Sequence, residues 1–206
     1  VNPFSHSETL SSAASTSGSS AHRPPTASAA TAASAPGSPV SAQSAFPTSG
    51  SFSAAPVTEQ QAAQSLGEML AQSGSDRTAI TQAVRDVEAC GPSLHQDPQV
   101  FQSADNSRRT LLTELANMPG ASALPAPMLQ DLSGAWQASI DADKDFTQWA
   151  NDEVTHACVQ NDTSDPGSVA ANGPDAEATT DKQAFVSMWN PIATQYGLTT
   201  YTWEQL

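Results

Sequence analysis

The sequence predicts an all-α protein: an up-down-up-down four-helix bundle over residues 57–206, preceded by a long disordered Ser/Ala/Pro-rich tail over residues 1–56. Three observations carry that expectation. Apolar residues beyond position 57 recur at steps of three and four, the signature of amphipathic helices. Nothing alternates apolar and polar residues over strand length. Four such helical stretches joined by mostly short loops fit a bundle of antiparallel neighbours.

Residues 1–56 are almost wholly Ser, Ala, Thr, Pro and Gly, with Glu8 and Arg23 as the only formal charges. Phe4, Leu10, Val40, Phe46 and Phe52 follow no period. Such a segment cannot bury enough surface to offset its ordering entropy. We read it as a spacer, with a glycosylated Ser/Thr-rich stalk and a peptide ligand for another domain as sharper alternatives. No PxxP pattern in it carries the flanking charges of a docking motif.

The whole of the −14 net charge lies in the predicted domain, where Arg77, Arg85, Arg108, Arg109, Lys144 and Lys182 face 20 of the 21 acids. That sign repels phosphate backbones and anionic headgroups, so no nucleic-acid partner is expected. No apolar run reaches the roughly 18 residues of a membrane span. There is no basic segment followed by an apolar one, so no signal peptide is read. The chain begins at Val1 rather than Met, and we expect an upstream anchor or export signal outside it.

The first helix opens at Thr58, with Gln61 three residues on as its capping-box partner. Leu66, Leu70, Ile80, Val84 and Val87 keep helical phase to Cys90. Ser73-Gly74-Ser75-Asp76 interrupts it as a soft point, with two separate helices as the alternative. Gly91 and Pro92 stop it. Asp97 is expected to cap the second helix with Pro98 in its first turn, and Phe101, Ala104, Leu111, Leu115 and Met118 form its inner face. The third helix, within Pro127–Cys158, has the longest stripe: Leu129, Leu132, Trp136, Ile140, Phe146, Ala150, Val154 and Ala157. The fourth is expected to begin near 168–178 and to carry Phe185, Trp189, Ile192 and Tyr196 before a stop at Gly197. Pro191 lies inside that pattern, so a kink or break is expected at Asn190–Pro191.

In this topology helices one and three run parallel, which brings Cys90 and Cys158 to the same end. We expect a structural disulfide, worth about 4 kcal/mol by the chain-entropy estimate, and hence an oxidising compartment. Zinc held by Cys90, His95, His156 and Cys158 is a weaker alternative, because neither pair has the usual close spacing. Reduced cysteines are the third reading. No metal and no cofactor are expected.

Arg108, Asp143 and Lys182 lie in phase with the apolar stripes of helices two, three and four. At about 1.5 Å rise per residue they reach a similar level in mid-bundle. We expect a polar layer in which Asp143 pairs with Arg108 or Lys182, fixing helix register; the alternative is that all three snorkel outward.

Other chemistry finds little support. Asp141, Asp143 and Asp145 imitate the start of an EF-hand loop, but Phe146 stands where glycine is needed. His6 and His22 lie in the tail, and no serine elbow, HExxH, Walker A or GxGxxG motif occurs. Asn161-Asp162-Thr163 fits a glycosylation sequon, a match common by chance. Trp136, Trp149 and Trp189 read as core, while Trp203 either caps a bundle end or is exposed.

The stretch from about Arg77 to Leu198 includes VEAC, RRTLLTEL, LSGAWQASIDADKDFTQWA, the second cysteine and DKQAFVSMWNPIATQYGL. It resembles an uncharacterised helical domain at the C-terminus of exported or membrane-anchored actinobacterial (Streptomyces-like) proteins. The resemblance implies an extracytoplasmic location and an upstream anchor, and it transfers no catalytic residue. The expectation is therefore a non-enzymatic extracytoplasmic module, structural or ligand-sensing, tethered by its stalk to an unknown protein or small-molecule partner. An acidic protein–protein interaction domain is the second reading. An enzyme, the third, would need a deep pocket with convergent polar groups.

Overall fold

The computed structural model describes residues 57–162 and 164–206. The tail and the Thr163 position of the sequon lie outside the described residues. Four α-helices form an up-down-up-down bundle: α1 (Glu59–Glu88), α2 (Asp97–Ala116), α3 (Ala126–Thr155) and α4 (Pro166–Tyr196). Short 3-10 turns at Ala121–Ala123 and Trp203–Gln205 complete it, and there is no strand among the described residues.

The Thr58 hydroxyl accepts the Gln61 N–H at 3.2 Å, and the Gln61 side chain accepts the Thr58 N–H at 3.0 Å. That reciprocal pair satisfies two of the orphan donors at the start of α1. The helix runs unbroken through Ser73–Asp76. Small residues there permit close approach. Ser73, fully buried, accepts the Trp136 indole N–H at 2.9 Å. A Cβ on Gly74 would stand 3.0 Å from the Gln205 carbonyl. The soft point in the sequence is thus a contact surface within one helix.

The expected cap of α2 is corrected. Asp97 is the first helical residue, and Gln96 precedes it without a side-chain cap bond. The Asp97 carboxylate turns instead toward Asp86 on α1. Phe101, Ala104, Leu111, Leu115 and Met118 are all buried, as their period requires.

In α3 the buried set is wider than one stripe. Met128, Ala135, Trp149 and Glu153 join Leu132, Trp136, Ile140, Phe146 and Ala150. Leu129 and Val154 are only half-buried, while Ala157 is exposed beyond the helix end. The reason is that α3 packs against α2 on one side and α4 on the other, so two faces are covered.

α4 starts earlier than expected. The Asp165 carboxylate accepts the Gly167 and Ser168 N–H groups at 2.8 and 3.3 Å, and Pro166 needs no partner at the first position. Pro174 and Pro191 both lie inside the helix, which continues to Tyr196. Thus no break occurs at Asn190–Pro191. Asn190 acts as a clamp: its amide donates to the Tyr201 carbonyl at 2.8 Å and its oxygen accepts the Tyr201 N–H at 3.0 Å. Next to it, the Trp189 indole donates to the Thr199 carbonyl at 3.0 Å. Gly197 takes φ +66° and turns the chain back after the helix.

α1 packs chiefly on α2 and touches α4 little. The residues after α4 enter that seam, with Leu206 buried in the core and Trp203 half-buried. The disulfide end collects the C-termini of α1 and α3 and the N-termini of α2 and α4. At the opposite end Gly120, at φ +78°, lies against Val57 and Ala62, and Tyr196 bonds Glu59.

Gly167 marks the tightest crossing. A Cβ there would fall 2.7 Å from the Asp145 carbonyl oxygen and the Trp149 backbone nitrogen. Neither can move without shifting α3. We expect Gly167→Ala to cost about 1–3 kcal/mol in urea unfolding, as overpacking does elsewhere. A neutral result would contradict this crossing.

Candidate functional site

The apolar core has two parts. One cluster, bounded by Leu70, Leu111, Trp136 and Phe185, fills the end away from the disulfide. Ile80, Val84, Phe101, Phe146, Trp149 and Ala150 are buried toward the disulfide, with the Phe101 and Phe146 ring centroids 5.6 Å apart. Charged residues from all four helices lie between them.

Arg108 on α2 and Asp143 on α3 form an ion pair through Nη1 and Oδ2, with exposures of 1% and 2%. Lys182 on α4 is 4% exposed and belongs to the same electrostatic group, without a direct salt bridge among the described residues. The structure therefore places all three sequence-derived residues inside, and it joins two of them directly. Arg77 on α1 and Asp175 on α4 were not foreseen; they approach to 3.9 Å at the edge of the layer. Arg77 had a signal, since it lies seven residues after Leu70 and three before Ile80. Asp175 had none, because it falls within the 168–178 stretch where the fourth helix was expected to begin.

Burial sets the titration of this layer. It pushes the Asp143 carboxyl up to about 6, against the opposing pull of Arg108. It pushes Lys182 well below the ordinary lysine value, with Arg77 and Arg108 adding repulsion. Arg108 Nε is buried without a hydrogen-bond partner. Three cations and two carboxylates in one largely buried layer can discriminate strongly between helix registers, because any slip would strand a charge.

The mimic of a calcium loop dissolves in this setting. Asp143 points inward to Arg108, while Asp141 is held 2.6 Å from Lys144 on the exposed side, so one helix carries them apart.

At the disulfide end, Cys90 and Cys158 are bonded, with Cα atoms 5.7 Å apart. The Asn161 N–H donates to the Glu88 carbonyl at 2.8 Å and the Gln160 amide to the Ala89 carbonyl at 3.1 Å, so the strap after α3 is bonded to the end of α1. Cys90, Ala157 and Asn161 take φ of 50°, 60° and 56°, a left-handed backbone without glycine. His95 and His156 do not join the sulfurs; the nearest third ligand-grade group is the buried carboxylate of Glu153. No sequence signal pointed to it, because Val154 and not Glu153 continues the apolar stripe.

Nearby, Asp97 faces Asp86, whose Oδ2 accepts the Ser93 N–H at 2.9 Å. Asp97 Oδ2 is buried without a partner. Burial first, then the Asp86 charge, raises Asp97 to about 6. A carboxyl raised from 3.8 contributes most to folding when protonated, and that contribution is lost as pH climbs through about 6. Asp97→Asn should therefore melt higher than the parent above about pH 6, with the gap closing toward pH 4. Paired thermal melts across that range test it; a gap independent of pH would refute the assignment.

A groove of about 770 Å³ runs between α1 and α2, bordered by Glu68, Met69, Gln72, Thr110 and Glu114. No helix among the described residues is long and apolar enough to cross a membrane. Comparison with protein-family models, with curated proteins and with solved structures finds no match.

Proposed function

We propose that this chain is a non-enzymatic extracytoplasmic module, structural or ligand-sensing, held away from an upstream anchor by residues 1–56. The observation that carries the reading is the Cys90–Cys158 disulfide. It joins the ends of two parallel helices across 68 residues of sequence. Such bonds form and persist where the surroundings are oxidising. The buried charge layer supports the structural side of the reading by holding the helices in one register.

The test is to express the full-length protein in its host, label free thiols before lysis with a membrane-impermeant maleimide, and fractionate. Recovery at the surface or in the medium, with both sulfurs bonded, supports the reading. Recovery in the cytosol with two free thiols would sink it.

A second reading, an acidic interaction surface for a basic partner, has its own support. Arg108 and Lys182 are buried and Arg77 nearly so, which leaves Arg85, Arg109 and Lys144 as the outer cations. Asp97, Asp143, Glu153 and Asp175 are buried as well, so the surface keeps a strong acidic excess without exceeding that of the composition. Partner capture that falls steeply as salt rises would favour it.

A further inference from the structure

We propose that the disulfide end becomes a zinc site when the Cys90–Cys158 bond is reduced, with Cys90, Cys158 and the Glu153 carboxylate as its three protein ligands. The two sulfurs and a Glu153 oxygen lie within 4.8 Å of one another. Glu153 is 7% exposed, and its Oε2 accepts the Val159 N–H at 3.0 Å, which fixes the carboxylate beside the sulfurs. An orienting hydrogen bond of this kind is what a ligand carboxylate ordinarily receives.

The carboxylate that secures the strap through the Val159 N–H stands beside both sulfurs, so reduction leaves three donors converging on one point, a set that one divalent ion can bridge. A borderline-soft ion that accepts sulfur and oxygen ligands in tetrahedral geometry suits the set, and zinc is such an ion. Zinc–sulfur bonds of about 2.3 Å at tetrahedral angles place two sulfurs about 3.8 Å apart. From a bonded pair whose Cα atoms are 5.7 Å apart, side-chain rotation supplies that separation with the helices in place. The fourth position falls to water, as in open three-ligand sites.

An approach for the ion is also present. A groove of about 390 Å³ opens beside Glu153, lined by Asp152, His156, Asp162 and Asp165. Its carboxylates concentrate cations at the site. Disulfide and zinc are mutually exclusive here, so the redox state of one bond decides whether this end is covalently closed or metal-bound. This goes beyond the proposed function, which concerns the oxidised form.

The chemistry balances with a phosphine as reductant. The disulfide takes two electrons and two protons to give two thiols, and the phosphine takes the oxygen of one water. Zinc then displaces the two thiol protons and accepts the Glu153 carboxylate. The test is to titrate Zn2+ into the oxidised and the phosphine-reduced chain against a chromogenic chelator, with Glu153→Gln beside the parent. We expect one Zn2+ per reduced chain and none per oxidised chain. Binding by Glu153→Gln should be on the order of tenfold weaker or more.

Absence of uptake by the reduced chain, equal uptake by the oxidised chain, or undiminished affinity in Glu153→Gln would each overturn the assignment. Far-UV circular dichroism covers the case in which reduction unfolds the bundle. Helix regained with one bound zinc supports the site, and no recovery with no uptake overturns it. Localisation of the oxidised protein is untouched by either result.

Discussion

Asp143→Ala should lower the unfolding free energy by about 3–5 kcal/mol, the usual cost of removing one partner from a buried ion pair. The expectation rests on what is left behind. Arg108, 1% exposed, would keep its charge with no carboxylate opposite, since its guanidinium cannot be deprotonated in proteins. Lys182 would lose an opposing charge as well, leaving Asp175 as the remaining attractive influence on it. The double replacement Arg108→Met with Asp143→Leu removes both charges and keeps much of the volume. We expect it to recover most of the loss, because an apolar pair of similar size is often neutral or stabilising. Urea unfolding of the parent, Arg108→Met, Asp143→Leu and the double variant measures the coupling directly, with Asp143→Ala beside them. A single-variant loss below about 1 kcal/mol would place the pair among exposed salt bridges and contradict its burial.

Replacing Cys90 and Cys158 together with serine should cost about 4 kcal/mol in urea unfolding while leaving the far-UV spectrum of the native protein unchanged. The effect works mainly through the unfolded chain, which regains the freedom of a loop spanning 68 residues of sequence. Relief of the left-handed backbone at Cys90 and Ala157 works the other way, because such conformations cost about 1–2 kcal/mol in non-glycine residues. The measured loss should therefore fall at or below the chain-entropy figure. A larger loss, or a collapse of helix content under native conditions, would mean that the bond organises the folded state as well.

The fold class was legible because local rules and burial agree. Thr58 and Gln61 close their capping box as the three-residue spacing dictates. Phe101, Ala104, Leu111 and Leu115 are buried where a 3.6-residue period puts them. Proline and glycine misled in both directions. Pro191 read as punctuation yet lies inside α4, as Pro174 does, and Gly74 read as a weak point yet marks a close approach. Packing from neighbouring elements sustains a helix that its own sequence would interrupt.

The candidate site was legible in part for a related reason. Arg108, Asp143 and Lys182 betray themselves by standing in apolar stripes. Glu153 and Asp86 do not, since each is polar on what reads as a polar face, and Asp97 read as a helix cap. Only the convergence of the α1 and α3 ends and the return of the chain at Ser93–Asp97 bring the Glu153 and Asp97 carboxylates out of water, with Asp86 beside Asp97.

From its amino-acid order alone this chain declares helices, their facing stripes, the sign of its charge and a pair of cysteines able to meet. The tertiary structure decides which charges leave water, that Glu153 lies beside the sulfurs, and that residues 198–206 enter the seam between α1 and α4. Helical periodicity is a property of neighbours along the chain and is written locally. Desolvation and charge proximity depend on atoms that are distant in sequence, so they arise only once the helices have packed.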